Sequence, residues 1–211
     1  MAGPFLGVII EGYIGIIGVY FMGVVMHAVG FCLIFMLQAP VNLPKQENSR
    51  VFGEIADGFR HIKTREMLVA TLVVTAIMNF FAMSFSSQLP AIAVEVLKLQ
   101  TDQSSFLAGA EGLGAFIGAM FIASRQFTTP GRLFIFGSIM FEVFILAFSH
   151  APILMLAIPL LILGGIGHAG FSASQSALMI AYSDPSMRAR AMGAIAVCIG
   201  TQPFGILLLG L

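Results

Sequence analysis

Residues 153–181 read ILMLAIPLLILGGIGHAGFSASQSALMIA, with no Asp, Glu, Lys or Arg among them. A helix needs about 20 mainly apolar residues to cross the roughly 30 Å of hydrocarbon in a bilayer. This stretch is longer than that, and its polar residues lie in its middle and second half. It reads as a membrane-spanning helix with a polar, glycine-rich waist. Working outward, similar runs cover about 67–90, 104–124, 132–149 and 191–211. Short polar joints separate them: Glu95 to Gln103, Arg125 to Gly131, Ser149 to Pro152 and Tyr182 to Arg190. The first apolar stretch, 2–38, is too long for one crossing. Gly15 and Gly18, with Tyr13 and Tyr20 beside them, predict a tight turn near 16–19. The division leaves a full span at about 19–38 and a short one at about 1–16, which reaches only about 24 Å at 1.5 Å per residue. Both chain ends read as cut inside or beside a helix. The expectation is an all-α polytopic membrane protein with about seven crossings, the first incomplete.

Composition agrees. Of the 211 residues, 58% are hydrophobic and 9% charged, against about 25% charged in a soluble domain. So few charges cannot solvate a globular surface, whereas a bilayer needs none. The net charge is zero, so nothing points to nucleic acid. Cys32 and Cys198 fall inside apolar runs and read as buried small hydrophobes. The N-terminus has no basic region and no cleavage site, so no secretory signal is expected.

The polar stretch 39–66 holds Lys45, Glu47, Arg50, Glu54, Asp57, Arg60, Lys63, Arg65 and Glu66. Within it Val51, Phe52, Ile55, Phe59 and Ile62 recur at helical spacing, predicting an amphipathic helix along the membrane surface. Alternating crossings put 39–66, 125–131 (with Arg132 at the helix edge) and 182–190 on one side. That side carries Lys45, Arg50, Arg60, Lys63, Arg65, Arg125, Arg132, Arg188 and Arg190, and the other carries only Lys98. The bias makes the basic side cytoplasmic.

Three charged residues fall within spans: Glu11, Glu111 and Glu142. A carboxylate at membrane depth is costly, so it is protonated, paired or open to a wet cavity. Glu111 sits about two turns into its helix, beside the Gly114/Gly118 pair that lets another helix approach closely. It reads either as a proton- or cation-binding group or as a structural hydrogen-bond former. Glu142 reads as bonded to another helix, and Glu11 as reaching the interface. His168 is a candidate proton relay, since imidazole titrates near neutral pH. Gln175 lies two turns further on the same face, among Ser172, Ser174 and Ser176. Asn79, and Gln88 nearer the outer end, are further cavity-lining candidates. His27, Met22 and Met26 read as packing. No CxxC, HExxH or GxSxG occurs, so neither a metal site, a cofactor nor an enzymatic centre is expected.

Several local patterns resemble the major facilitator superfamily. Ala2-Gly3-Pro4-Phe5-Leu6-Gly7-Val8 is similar to the GPxxGG core of the antiporter motif in the fifth helix of proton-coupled exporters, with Val8 replacing the second glycine. Asp184-Pro185-Ser186-Met187-Arg188-Ala189-Arg190 resembles the DExRGRxxG-type loop before the eleventh helix, and Ser124-Arg125 with Gly131-Arg132 a degenerate loop between helices eight and nine. The resemblance implies helices 5–11 of a twelve-helix fold. Residues 1–38 would end the N-terminal half, 39–66 would be the central cytoplasmic loop, and 67–211 would be the C-terminal half without its twelfth helix.

The nearest group is the bacterial macrolide-efflux and enterobactin-exporter-like proteins. The resemblance therefore implies a secondary active transporter of the bacterial cytoplasmic membrane. It would couple efflux of a small amphipathic, drug- or siderophore-like molecule to protons by rocking two halves around a central cavity. Asn79, Glu111, His168 and Gln175 would line that cavity, and Glu142 would lie outside it. An uncoupled transporter of a lipid-like substrate, and a non-transporting membrane scaffold, remain as alternatives. Besides the lipid bilayer, the chain is expected to need the absent helices or a complementary half. Alone it is expected to transport nothing.

Overall fold

The computed structural model describes residues 3–36, 51–99, 105–125 and 129–209, with side chains omitted at 3–9, 51, 52, 54, 55, 105 and 209. The described elements are all helical. They are α1 (Gly3–Met36), α2 (Val51–Lys63), α3 (Glu66–Ile77), α4 (Leu89–Ala91), α5 (Ser105–Ser124), α6 (Pro130–Phe148), α7 (Leu154–Tyr182), α8 (Arg188–Ile199) and α9 (Gln202–Leu209). Among the described residues six helices are long and apolar enough to cross a membrane. The seventh expected crossing is the short leading segment, which a break inside α1 sets off. Gly15 has φ +69° and ψ 177°, a conformation open only to glycine. The turn expected over 16–19 therefore falls on Gly15, and the helix resumes directly after it. Most of α1 beyond Ile10 is exposed, Cys32 included, so the expected burial of that thiol is not met.

Of the polar stretch, 37–50 lies outside the described residues. The amphipathic helix exists as α2, and among its described apolar side chains Ile62 meets protein while Phe59 is exposed. Ile62 is buried with Leu68 and Leu72 of α3, Met179 of α7, and Ala191, Ala194 and Ile195 of α8. Gly58 faces Arg190, where an added Cβ would lie 3.1 Å from the arginine Cβ. Ion pairs surround this anchor: Asp184 lies 3.3 Å from Arg65 and 3.6 Å from His61, and Arg190 lies 3.9 Å from Asp57. The surface helix is thus docked on one end of the bundle.

The second crossing runs from Glu66 to Val96 and is not a uniform α-helix. After α3 come a π-helical turn (Met78–Ala82), a 3-10 segment (Met83–Gln88), the short α4, and a second π turn (Ile92–Val96). The last crossing is interrupted too, at Gly200–Thr201 between α8 and α9. The two irregular stretches lie side by side and complete each other's hydrogen bonding. Gln202 Nε2 donates to Met83 O (3.3 Å) and Thr201 Oγ1 lies 3.4 Å from Ala76 O. Ser84 Oγ lies 2.8 Å from Phe80 O, 3.1 Å from Gln202 O and 3.3 Å from Asn79 O; its single proton serves one carbonyl at a time. An added Cβ on Gly205 would overlap Phe80 O, so only glycine permits this contact. Backbone groups freed inside a hydrocarbon layer must find such partners.

Helix α7 is the centre of the bundle. Its Gly165 faces α5, and its Gly167 and Gly170 face Gly137 of α6. A side chain on Gly114, Gly118, Gly137, Gly165 or Gly167 would collide with the backbone opposite. The Gly114/Gly118 pair does admit a neighbouring helix, and that helix is α7.

Candidate functional site

The close approach of α5 and α7 is centred on Glu111. An added Cβ on Gly165 would strike the Glu111 carbonyl oxygen. One turn further along α7, on the same face, His168 places its Nδ1 3.3 Å from Glu111 Oε1. The second carboxyl oxygen accepts from Ser86 Oγ of the 3-10 segment at 3.5 Å. The Phe141 ring of α6 lies 5.5 Å from the imidazole, tilted by 53°. Four elements therefore converge on one carboxyl–imidazole pair, and the absence of a side chain at Gly165 sets their spacing. The pair is not sealed: the Glu111 and His168 side chains keep 13% and 24% of their exposure.

A carboxyl and an imidazole in contact form a unit whose charge depends on how many protons it holds. With one shared proton the unit is a neutral acid–base pair or a zwitterion. A second proton leaves it cationic, and loss of the first leaves it anionic. A group that changes charge at membrane depth while staying accessible has the chemistry required to couple proton movement to a change of conformation.

The other two candidates meet separately. Thr75 Oγ1 donates to Gln175 Oε1 (3.3 Å), and Asn79 Nδ2 donates to the Thr75 carbonyl (2.8 Å). Thr75, Asn79 and Gln175 are all buried, in a network between α3 and α7. His168 and Gln175 share a face of α7 two turns apart, as the helical period requires. Sequence reasoning missed Thr75, Ser86 and Phe141. The polar cluster Ser84-Phe85-Ser86-Ser87-Gln88 within an apolar run was the signal for Ser86; Thr75 and Phe141 carried none.

The remaining sequence candidates lie elsewhere. Glu142 is exposed in a groove beside Val74, Ile77 and Met78. It has no hydrogen-bond or ion-pair partner among the described residues, so the expected bond to another helix is not found. Glu11 is exposed on α1. Gly3, Pro4 and Gly7 stand in the first turns of α1, and their surroundings lie outside the described side chains. Asp184 and Arg190 pair with α2, and Arg188 Nε donates to Ile180 O at 3.2 Å, holding the loop to the end of α7. Among the described residues no group of three or more His, Cys, Asp or Glu could hold a metal ion.

Comparison with curated proteins and with solved structures returned no match. The family model described as Major Facilitator Superfamily matches residues 1–205. With an all-helical architecture and at least six helices fit to cross a membrane among the described residues, the chain belongs to the Major Facilitator Superfamily, a multi-pass membrane protein of the secondary-transporter class.

Proposed function

We propose that this transporter exports a small amphipathic, drug- or siderophore-like molecule in exchange for protons, across a bacterial cytoplasmic membrane. The Glu111–His168 contact carries the reading. Adding a proton to Glu111 removes its charge and weakens its hold on a protonated imidazole. The α5–α7 contact is then freed to change, and with it the access of the central pathway. A departing cationic or amphipathic substrate and an arriving proton would compete for the same carboxylate, which is the essence of exchange. With 20 Phe and 13 Met in the chain, the pathway walls can adapt to varied apolar shapes. The basic asymmetry supports an orientation with α2, Arg125 and Arg188 on the cytoplasmic side.

The test uses the protein expressed from its complete reading frame, in everted vesicles, with a fluorescent amphipathic cation as probe. Glu111→Gln keeps size and hydrogen bonding but cannot titrate. It is expected to lower pH-gradient-driven transport about 100-fold, within the usual range for losing a proton-transfer group, at unchanged protein level. Transport by Glu111→Gln at the wild-type rate, with the same response to collapse of the pH gradient, would reduce Glu111 to a packing residue.

A further inference from the structure

The outer face of the α5–α6–α7 unit carries a second feature, unrelated to the carboxyl–imidazole pair. Near the basic end a cavity of about 240 Å³ is lined by Arg125, Ser174, Pro130, Ala173 and Ala177, with Ile122 and Leu133 at its inner edge. One of its polar groups has no partner among the described residues. Ser174 is 2% exposed, yet among the described residues its hydroxyl has no hydrogen-bond partner. A buried hydroxyl without a partner is costly, and Ser174 is one of the residues lining the cavity. Among the described residues no carboxylate pairs with Arg125, whose guanidinium rests 5.6 Å from the centre of the Phe121 ring. Pro130 opens α6, and Thr129 gives that helix no side-chain cap, so the positive end of its dipole borders the cavity. Arg125, the start of α6 and Ser174 thus border a single space.

Ile122 and Leu133 also line a second cavity of about 460 Å³. This one is an apolar trough running away from the basic end between α5 and α6, walled by Phe136, Met140, Val143 and Phe144 and floored by Gly167 and Gly170. The two cavities are neighbours across Ile122 and Leu133, the smaller lined by Arg125 and Ser174 and the larger apolar.

We infer that this composite cavity is a binding site for one anionic phospholipid, with the phosphate against Arg125 and the Ser174 hydroxyl and an acyl chain along the trough. A free phosphate shares the headgroup chemistry but leaves the trough empty. An uncharged or zwitterionic lipid fills the trough but offers Arg125 no net charge.

The purified full chain, in mild detergent, is mixed with phosphatidylglycerol, phosphatidylcholine or inorganic phosphate, and adducts are counted by native mass spectrometry. A one-lipid adduct is expected with phosphatidylglycerol. It should fall about five-fold in Arg125→Gln, the weight of one basic residue near an anionic headgroup, and should fall as well in Ser174→Ala, a change that leaves no bond broken within the protein. A phosphatidylglycerol bearing a photoreactive acyl chain should label α6 at Phe136 or Met140. Equal phosphatidylglycerol retention by wild type and both variants would overturn the assignment. So would phosphatidylcholine retained equally, labelling away from α6, or phosphate bound as tightly as lipid.

Discussion

At Glu111 one atom-scale absence sets the chemistry. Gly165 has no Cβ, the helices close on each other, and a carboxyl meets an imidazole at 3.3 Å. Thr75 plays a different part, as a donor whose proton satisfies a buried amide oxygen. Thr75→Val removes that donor with little change of shape and leaves Gln175 Oε1 unpaired. The expected cost is about 1–3 kcal/mol, read as a lowered thermal midpoint in detergent, with Thr75→Ser close to wild type. A Val variant as stable as wild type would show that Gln175 finds another partner. Residue identity was legible in the sequence where polarity contradicts its surroundings, as for Glu111, His168, Gln175 and Asn79. Which of them touch was not. Pairing depends on the rotation of α5 and α3 against α7, and no local pattern encodes it. Glu142 stands out in the sequence as clearly as Glu111, yet it is exposed and has no partner among the described residues.

Helix α2 shows how elements are held. Its ion pairs, His61–Asp184 at 3.6 Å and Asp57–Arg190 at 3.9 Å, are long and each has one partner 54% exposed, and such partly solvated pairs contribute about 0–1 kcal/mol each. Ile62 is 2% exposed among six apolar neighbours, and truncating such a residue costs about 2–5 kcal/mol. The apolar anchor therefore outweighs the charges. Ile62→Ala is expected to speed hydrogen exchange across α2, whereas Asp184→Asn should leave it within a few-fold of wild type. The reverse order would mean that the ion pairs hold the helix. The amphipathic period of 51–63 was plain in the sequence, but its occupant was not, because a lipid surface and a protein surface both accept Ile62 and Phe59. The π turns of the second crossing were likewise hidden. The first of them, Met78–Ala82, lies where Ser84, Thr201, Gln202 and Gly205 of two irregular stretches meet, and that meeting is tertiary.

For the whole molecule, apolar runs and basic joints carried most of the architecture, since a bilayer imposes span length and charge sidedness on any chain that crosses it. The orientation is tested with Thr64→Cys and Glu95→Cys in a background lacking Cys32 and Cys198; both positions are exposed, at opposite ends of the second crossing. An impermeant thiol reagent added to intact cells should label position 95 and spare position 64, and the opposite pattern would invert the topology. Coupling is the central claim, and proton flux measures it most directly. The protein from its complete reading frame is reconstituted in liposomes with a pH indicator inside, and an amphipathic cation is added. Expected is a proton flux that starts with the cation, scales with its transport, and disappears in Glu111→Gln. Transport of the cation with no accompanying proton flux, or a flux unchanged in Glu111→Gln, would contradict exchange through the Glu111–His168 pair.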